Sequence, residues 1–438
     1  MIYRLLAGAA CAALSVTSLP AFAAASPEVP IAVSDVMPSD SAVDAFYASR
    51  NNAPLWLVHG QRTPAAAELL SVLERAPLDG FASGPAIAAE AQSLLTRAQA
   101  GDPAAAAQAD RLLSAAWVHY VQTIQRPATG MTYESTWVER RVRSPHDILA
   151  LAAAAPSLAS YVRTVSDVNP FYARLREAAW QQMQSTGAAP DPRVLASLDR
   201  VRALPAHGRF VLVDAANQKL SMVDNGQVVD SMKVIVGKPG SQTPMVASVI
   251  YAATLNPYWH VPADLEQKLI APRVLSQGIR YLKVHHYELL THFGDGGEVI
   301  SPTDVDWKAV AAGKTTVAMR QLPGPANSMG EMKFAFANDH GVYLHDSPEK
   351  DLFNKDQRDL SNGCIRLEDA SRLGRWLLGR DPTVASNEPE QQVMLPKPVP
   401  VFVTYLTAHA DDGQLTLADD IYGRDSLEGS SARMASLH

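Results

Sequence analysis

The spacing of apolar positions changes once along the chain. From about Ser41 to Gln184 apolar residues recur three and four positions apart in an Ala- and Leu-rich background, which is the stripe of an amphipathic helix. The spacing predicts helices over Ala65–Leu73, Pro85–Ala98, Pro103–Gln125, Ser144–Ala152, Leu158–Val165 and Pro170–Gln184. Leu78-Asp79-Gly80 and Ala128-Thr129-Gly130 read as turns between them. Asp102-Pro103 has the form of a helix start, with Asp as cap and Pro at the first helical position. Phe46, Tyr47, Trp56, Trp117 and Tyr120 read as core rather than as a ligand platform.

A short helix over Pro192–Leu204 then leads into short β-branched runs. Phe210–Val213, Lys219–Val223 and Val228–Val236 predict strands, separated by turns at Ala215–Gln218 and Asp224-Asn225-Gly226. The Asn-Gly pair is a strong hairpin signal. Further strands are expected at Val249–Leu255, Glu331–Phe336, Gly341–His345 and Val399–Tyr405, and a helix at Leu367–Leu378. A mixed, partly helical insertion lies between Asp264 and Lys314. The fold class is therefore α+β, an all-α N-terminal domain followed by a β-rich domain. The expected boundaries are 41–184 for the helical domain, 185–205 for a linker and 206–425 for the β-rich domain, with a flexible lead-in at 24–40 and a disordered tail at 426–438.

Composition narrows the class. The 438 residues are 47% hydrophobic, too apolar for a disordered chain, and the net charge of −7 comes with no basic run. No nucleic-acid footprint is expected. The start of the chain has Arg4, an apolar run from Leu5 to about Leu19, and Ala21-Phe22-Ala23 before Ala24. This is the layout of a secretory signal peptide at 1–23, too short for a membrane span. No other stretch is apolar and long enough to span a bilayer. Lipid attachment at Cys11 is disfavoured because Gly8-Ala9-Ala10 lacks the Leu that usually opens such a motif. Of two cysteines, Cys11 and Cys364, the first leaves with the signal. The mature protein then carries one thiol, which has no internal disulfide partner and is either an inert buried group or a reactive one.

The neighbours of Cys364 favour reactivity. Tyr343-Leu344-His345-Asp346-Ser347-Pro348 is followed by Ser361-Asn362-Gly363-Cys364-Ile365-Arg366. The loop between them lets an imidazole fold back onto a thiol, lower its pKa and return a proton. Gly363 permits a tight turn, and the N–H groups of Gly363 and Cys364, near the start of the following helix, would form an oxyanion site. Arg366 suits a substrate carboxylate.

These two segments resemble the active-site signature of L,D-transpeptidases with a YkuD-type catalytic domain, in particular their large Gram-negative branch. Other stretches share the resemblance: Val236–Pro239 with Gln242–Pro244, Asn256–Trp259, Pro302–Trp307, Pro323–Asn327 and Asp420–Arg424. It runs from about Arg209 to Arg424, with looser likeness at Phe46–Trp56, Pro170–Leu175 and Arg200–Pro205. The resemblance implies a periplasmic enzyme of cell-wall synthesis that acts on peptidoglycan stem peptides. In that reaction Cys364 attacks a diaminopimelate carbonyl, expels D-alanine and passes the acyl group to an amine or to water. The resemblance assigns His345 as base, with Asp346 or a backbone carbonyl orienting it, and Gly363 and Cys364 as the oxyanion site. It assigns Arg366, Tyr343, Asn362, Ser361 and Trp259 to the substrate. No metal or cofactor is implied. The insertion, about 264–320, is implied to cap the site, where Trp307, Tyr281 and Tyr287 either touch substrate or pack the cap. His285, His286 and His292 read as a solvated face.

Two departures stand out. Asn362 occupies a position usually held by His, and cannot carry a proton. The segment 185–205 is too short for the peptidoglycan-binding module that many large members insert there. Both leave the crosslink type open, 3-3 or 1-3. They also leave room for an L,D-carboxypeptidase, a wall-lipoprotein-detaching hydrolase or a non-catalytic peptidoglycan-binding scaffold.

Overall fold

The structure, a computed structural model, describes residues 41–382 and 388–425. The expected signal peptide and lead-in (1–40) and the expected tail (426–438) lie outside the described residues.

Caps and prolines set the helices where the spacing placed them. They span Pro64–Arg75, Gly84–Gln99, Pro103–Gln125, Pro145–Ala154, Leu158–Asp167, Pro170–Thr186 and Pro192–Val201. The Asp102 side chain accepts from the N–H groups of Ala104 and Ala105, as its position predicted. A first helix, Ser41–Ser49, was not anticipated. Trp56, Trp117 and Tyr120 are fully buried, and a continuous apolar cluster fills this helical region. The buried Asp110 carboxylate organises its opening segment by accepting from Leu55 N, Trp56 N and Leu57 N, and from the Tyr47 hydroxyl.

The β-rich region is a ten-stranded sheet that closes on itself. Strand Met332–Phe334 pairs with Leu344–His345 on one side and with Val246–Leu255 on the other. Asn225 and Gly226 both take positive φ, 47° and 78°, the turn that the Asn-Gly pair predicted. Two expectations need correction. The helical region is not all-α, because Thr132–Tyr133 joins the sheet parallel to Val246–Ala247. The helix expected from Leu367 begins at Ala370, and Ile365–Leu367 is a strand.

The helical and β-rich regions are packed together. Tyr172, Leu175, Val194, Leu198 and Val201 belong to the same apolar cluster as the barrel strands. The segment 185–205 is therefore docked by its helix rather than left as a loose tether. Arg200, on that helix, donates to both oxygens of Asp425 (2.6 and 2.8 Å) and to the Tyr405 carbonyl (2.6 Å). Both side chains are almost fully buried.

The insertion has an apolar cluster of its own, containing Trp259, Tyr281, Leu289, Trp307 and Met319. Its three strands, Trp259–His260, Tyr287–Leu290 and Ala318–Gln321, form a separate small sheet. Asn327 is buried and ties its base, donating to the carbonyls of Pro257, Gln321 and Leu322. Among the described residues no helix is long and apolar enough to cross a membrane.

Arg200→Ala takes the guanidinium away from the buried Asp425 carboxylate, which keeps the Thr407 hydroxyl. We expect a loss of about 3–5 kcal/mol of stability, read by chemical denaturation. A loss below about 1 kcal/mol would mean that the pair is not what holds the helix to the barrel.

Candidate active site

One strand register assembles the candidate residues. Leu344–His345 runs parallel to Ile365–Leu367, with Leu344 opposite Ile365 and His345 opposite Arg366. Leu344 and Ile365 are fully buried in the barrel core. Side chains alternate across a sheet, so His345 and Arg366 face away from that core. Extending the alternation one residue back on each strand puts Tyr343 and Cys364 on that same outer face. The structure brings Cys364, Tyr343, His345 and Arg366 together, with His345 diagonal to Cys364.

The thiol is partly exposed. Its sulfur lies 3.9 Å from the Gly341 carbonyl oxygen. Tyr343 presents both its hydroxyl and its backbone N–H to the sulfur. Burial pushes the Cys364 thiol above its ordinary range, and the Tyr343 hydrogen bonds and the Arg366 charge pull it down by less. The Tyr343 phenol is itself pushed well above its ordinary range, by burial and by the neighbouring thiol. The expectation of a thiol lowered by His345 is therefore not met. The His345 ring and the Cys364 sulfur are not hydrogen bonded to each other, because the register sets them diagonally rather than face to face.

His345 is buried, and its Nδ1 lies 2.6 Å from the Asp346 backbone carbonyl oxygen. Nδ1 faces that carbonyl as a donor, and the Ser328 backbone carbonyl also faces the ring. Burial, with the Arg366 charge second, depresses the imidazole to about 4. Of the two orienting groups expected, it is the backbone carbonyl that acts. The Asp346 carboxylate instead pairs with Lys350 (2.6 Å) and accepts from Glu331 N (3.1 Å). Gly330 passes close against it, where a Cβ would fall within 2.3–2.6 Å of the Asp346 side chain.

The loop before the nucleophile holds itself shut. The Ser361 hydroxyl accepts from Gly363 N (3.1 Å) and donates to Cys364 O (2.6 Å). This corrects two expectations. Ser361 is a buried brace rather than a substrate contact, and the Gly363 N–H is already committed. The expected help from a following helix also fails, since a strand comes next. Gly363 has φ 122°, in the region that favours glycine. Asn362 is exposed and has no hydrogen-bond partner among the described residues.

Arg366 lies beside His345, and Glu349 caps its guanidinium at 2.6 Å. Trp259 sits in the insertion's apolar cluster, against which Tyr343 packs. It is buried within the insertion, 6.2 Å from the Tyr287 ring centroid. The insertion meets the site through Tyr343, which packs against its apolar cluster. Tyr281 and Trp307 pack within that cluster, and Trp307 Nε1 donates to the Pro302 carbonyl.

Sequence reasoning gave no role to Thr243. Its hydroxyl accepts from Gly237 N and donates to the Gly363 carbonyl, each at 2.8 Å. Tyr422 donates to the Gly237 carbonyl, and Arg424 donates to Gln242 Oε1 and Thr243 O. Two of the motifs quoted above, Gln242–Pro244 and Asp420–Arg424, are thus the frame behind the nucleophile loop. Their presence beside the Cys motif was a signal, though spacing alone could not show the contacts.

Both regions of the chain are similar to known protein families. Residues 208–400 match the YkuD family, the L,D-transpeptidase catalytic domain, and residues 41–178 match a Scaffold domain family. The "Putative L,D-transpeptidase" of Haemophilus influenzae is 26% identical over 390 residues, which are 87% of this chain and 77% of that protein. Among solved structures, an L,D-transpeptidase from Mycobacterium smegmatis is 14% identical with a TM-score of 0.23, over 46% of this chain and 60% of that one. The chain thus spans less than two thirds of that structure. An L,D-transpeptidase from Xylanimonas cellulosilytica is 13% identical with a TM-score of 0.22, over 65% of this chain and 92% of that one.

Two outcomes follow. The unfolded chain protonates His345 near pH 6.5, whereas the folded chain resists until about 4. The unfolded state binds more protons between those values, so stability falls as pH drops through them, by about 1.4 kcal/mol per unit and roughly 3 kcal/mol in all. Denaturation of the native protein and of His345→Gln at both ends of that window checks this; equal losses would refute it. Alkylation of Cys364 by iodoacetamide should rise with pH and show no plateau below pH ~8. An acid-side plateau would reveal a resting thiolate–imidazolium pair.

Proposed function

We propose, from the premise that residues 208–400 form an L,D-transpeptidase catalytic domain of the YkuD family, that the chain is a peptidoglycan L,D-transpeptidase with Cys364 as its nucleophile. The observation that carries the reading is the strand register that gathers Cys364, His345, Tyr343 and Arg366 on one face.

In this reading both partners are neutral at rest. A stem peptide that fills the site excludes water and brings its diaminopimelate carbonyl to the sulfur. His345 takes the thiol proton as sulfur attacks, and the Asp346 and Ser328 carbonyls steady the imidazolium that forms. The Gly363 N–H being tied to Ser361, the developing oxyanion is met by the Cys364 N–H and the Tyr343 hydroxyl. His345 returns the proton to the departing D-alanine amine, leaving a thioester. An acceptor amine then attacks the thioester carbon, loses its proton to His345 and expels the thiolate, which gives the crosslink. The Cys364 sulfur is released to begin again.

Arg366 would bind a stem carboxylate only by exchanging Glu349. That side chain is 61% exposed, so the pair is weak and its loss is tolerable. Asn362 is exposed at the loop apex and bears on substrate fit rather than proton transfer. The export signal expected from the sequence and these substrates support a periplasmic location.

Incubation of purified protein with stem-containing muropeptides should yield dimers by mass spectrometry, and Cys364→Ala should yield none. Trimmed monomers without dimers would make it an L,D-carboxypeptidase. Inactivity of the native protein would favour a peptidoglycan-binding scaffold. A carbapenem should add covalently to Cys364, because its strained amide imitates the stem carbonyl; intact-mass spectra without an adduct would contradict an accessible nucleophile. Arg366→Gln should weaken donor use by about 10–100-fold, read as a rise in donor KM.

A further inference from the structure

A second cleft opens beside the nucleophile loop. It has a volume of about 370 Å³, and its lining includes Thr129, Thr132, Arg200, Met245, His340 and Arg424. That size lies within the range of small-ligand sites, roughly 300–1,000 Å³. No residue of the insertion lines it.

Two chain connections run from this cleft to the sulfur. His340 precedes Gly341, whose carbonyl oxygen is 3.9 Å from Cys364 Sγ. Pro244 and Met245 follow Thr243, which holds the Gly363 carbonyl at 2.8 Å. The third wall comes from the helical region, where Thr132 N donates to Met245 O and Thr129 N donates to Asp199. The wall is therefore fixed rather than a loose loop.

The charge balance of the cleft is incomplete. Asp425 neutralises Arg200 through two hydrogen bonds. Arg424 instead gives its hydrogen bonds to neutral acceptors, Gln242 Oε1 and Thr243 O, and forms no salt bridge among the described residues. The Tyr405 and Tyr422 rings flank it at 5.1 and 4.9 Å. A half-buried guanidinium whose hydrogen bonds go to neutral acceptors, and which feels the Arg200 charge more than the Asp425 carboxylate, is preorganised for an anion, and a carboxylate matches its planar fork. Thr129, Thr132 and the exposed His340 complete the polar part of the lining.

Resting on the transpeptidase reading, in which two stems must meet at one sulfur, we propose that this cleft holds a carboxylate of the acceptor stem peptide against Arg424. The donor stem then lies along Arg366 and Tyr343 under the insertion, and the acceptor approaches past His340. Such a subsite, shared between the barrel and the helical region, gives the helical region a direct part in substrate choice.

The test is calorimetric binding of a diaminopimelate-containing stem tripeptide to Cys364→Ala protein, with its carboxylates free or amidated. The subsite predicts that amidation weakens binding about tenfold or more. In the Arg424→Gln background the same amidation should have less than about a twofold effect. His340→Glu places a fixed carboxylate in the cleft without touching the frame around Thr243, and should weaken the free tripeptide about tenfold. It decides the matter if Arg424→Gln fails to fold. Undiminished discrimination in Arg424→Gln, or its disappearance only in Arg366→Gln, overturns the proposal. The readout requires no turnover, so a bound tripeptide with no dimer from the active protein would sustain the subsite and sink the transfer reading alone.

Discussion

Everything proposed about the chemistry depends on one pairing, the parallel contact between Leu344–His345 and Ile365–Leu367. A shift of one residue would turn Cys364 toward the barrel core and bring Ile365 outward. The core prevents this, because Leu344 and Ile365 are fully buried in it. Two apolar side chains on the inner face thus fix the position of four chemical groups on the outer one. Ile365 N, bonded to Tyr343 O at 3.1 Å, adds a backbone link at the same level.

A nucleophile on a loop next needs the loop to be stiff. Here stiffness comes from single polar atoms that each satisfy two backbone groups. The Thr243 hydroxyl joins Gly237 to Gly363, and the Ser361 hydroxyl joins Gly363 to Cys364. Behind them, Tyr405 and Tyr422 stack at 5.1 Å, and Asp420 accepts from Tyr405 and from the backbone of Arg424 and Asp425. Arg200 then carries this frame to the helical region. A polar network of this kind is unforgiving, since any unmet member is left buried.

The sequence was most legible where a local signal was strong. Pro103–Gln125 follows its prediction from end to end because Asp102 caps it and its apolar period is long. Thr132–Tyr133 escaped because two residues carry no period. The strand expected at Val399–Tyr405 begins at Gln391, despite Pro396 and Pro398. A break in register between Met394 and Val399 absorbs the prolines. In the site, His345 and Cys364 were readable from their motifs, and the structure brings them onto one face. What could not be read was which hydrogen bonds were already taken. Gly363 looked like a free donor until Ser361 was seen to occupy it, and Asp346 acts through its carbonyl because its carboxylate is held by Lys350. Trp259 sits in one of the quoted motifs but is drawn into the insertion's own core.

The way the insertion is rooted has an evolutionary consequence. It departs after Val246–Leu255 and returns into Met332–Phe334, and these two strands are hydrogen-bonded neighbours. Its ends therefore lie about one strand spacing apart, near 4.8 Å, whatever the length between them. It also brings its own apolar cluster, so its packing makes little demand on the barrel. A segment attached in this way behaves as an exchangeable cassette. Selection can lengthen, shorten or replace it, and so reshape what reaches the thiol, while the register that aligns the reacting groups stays untouched.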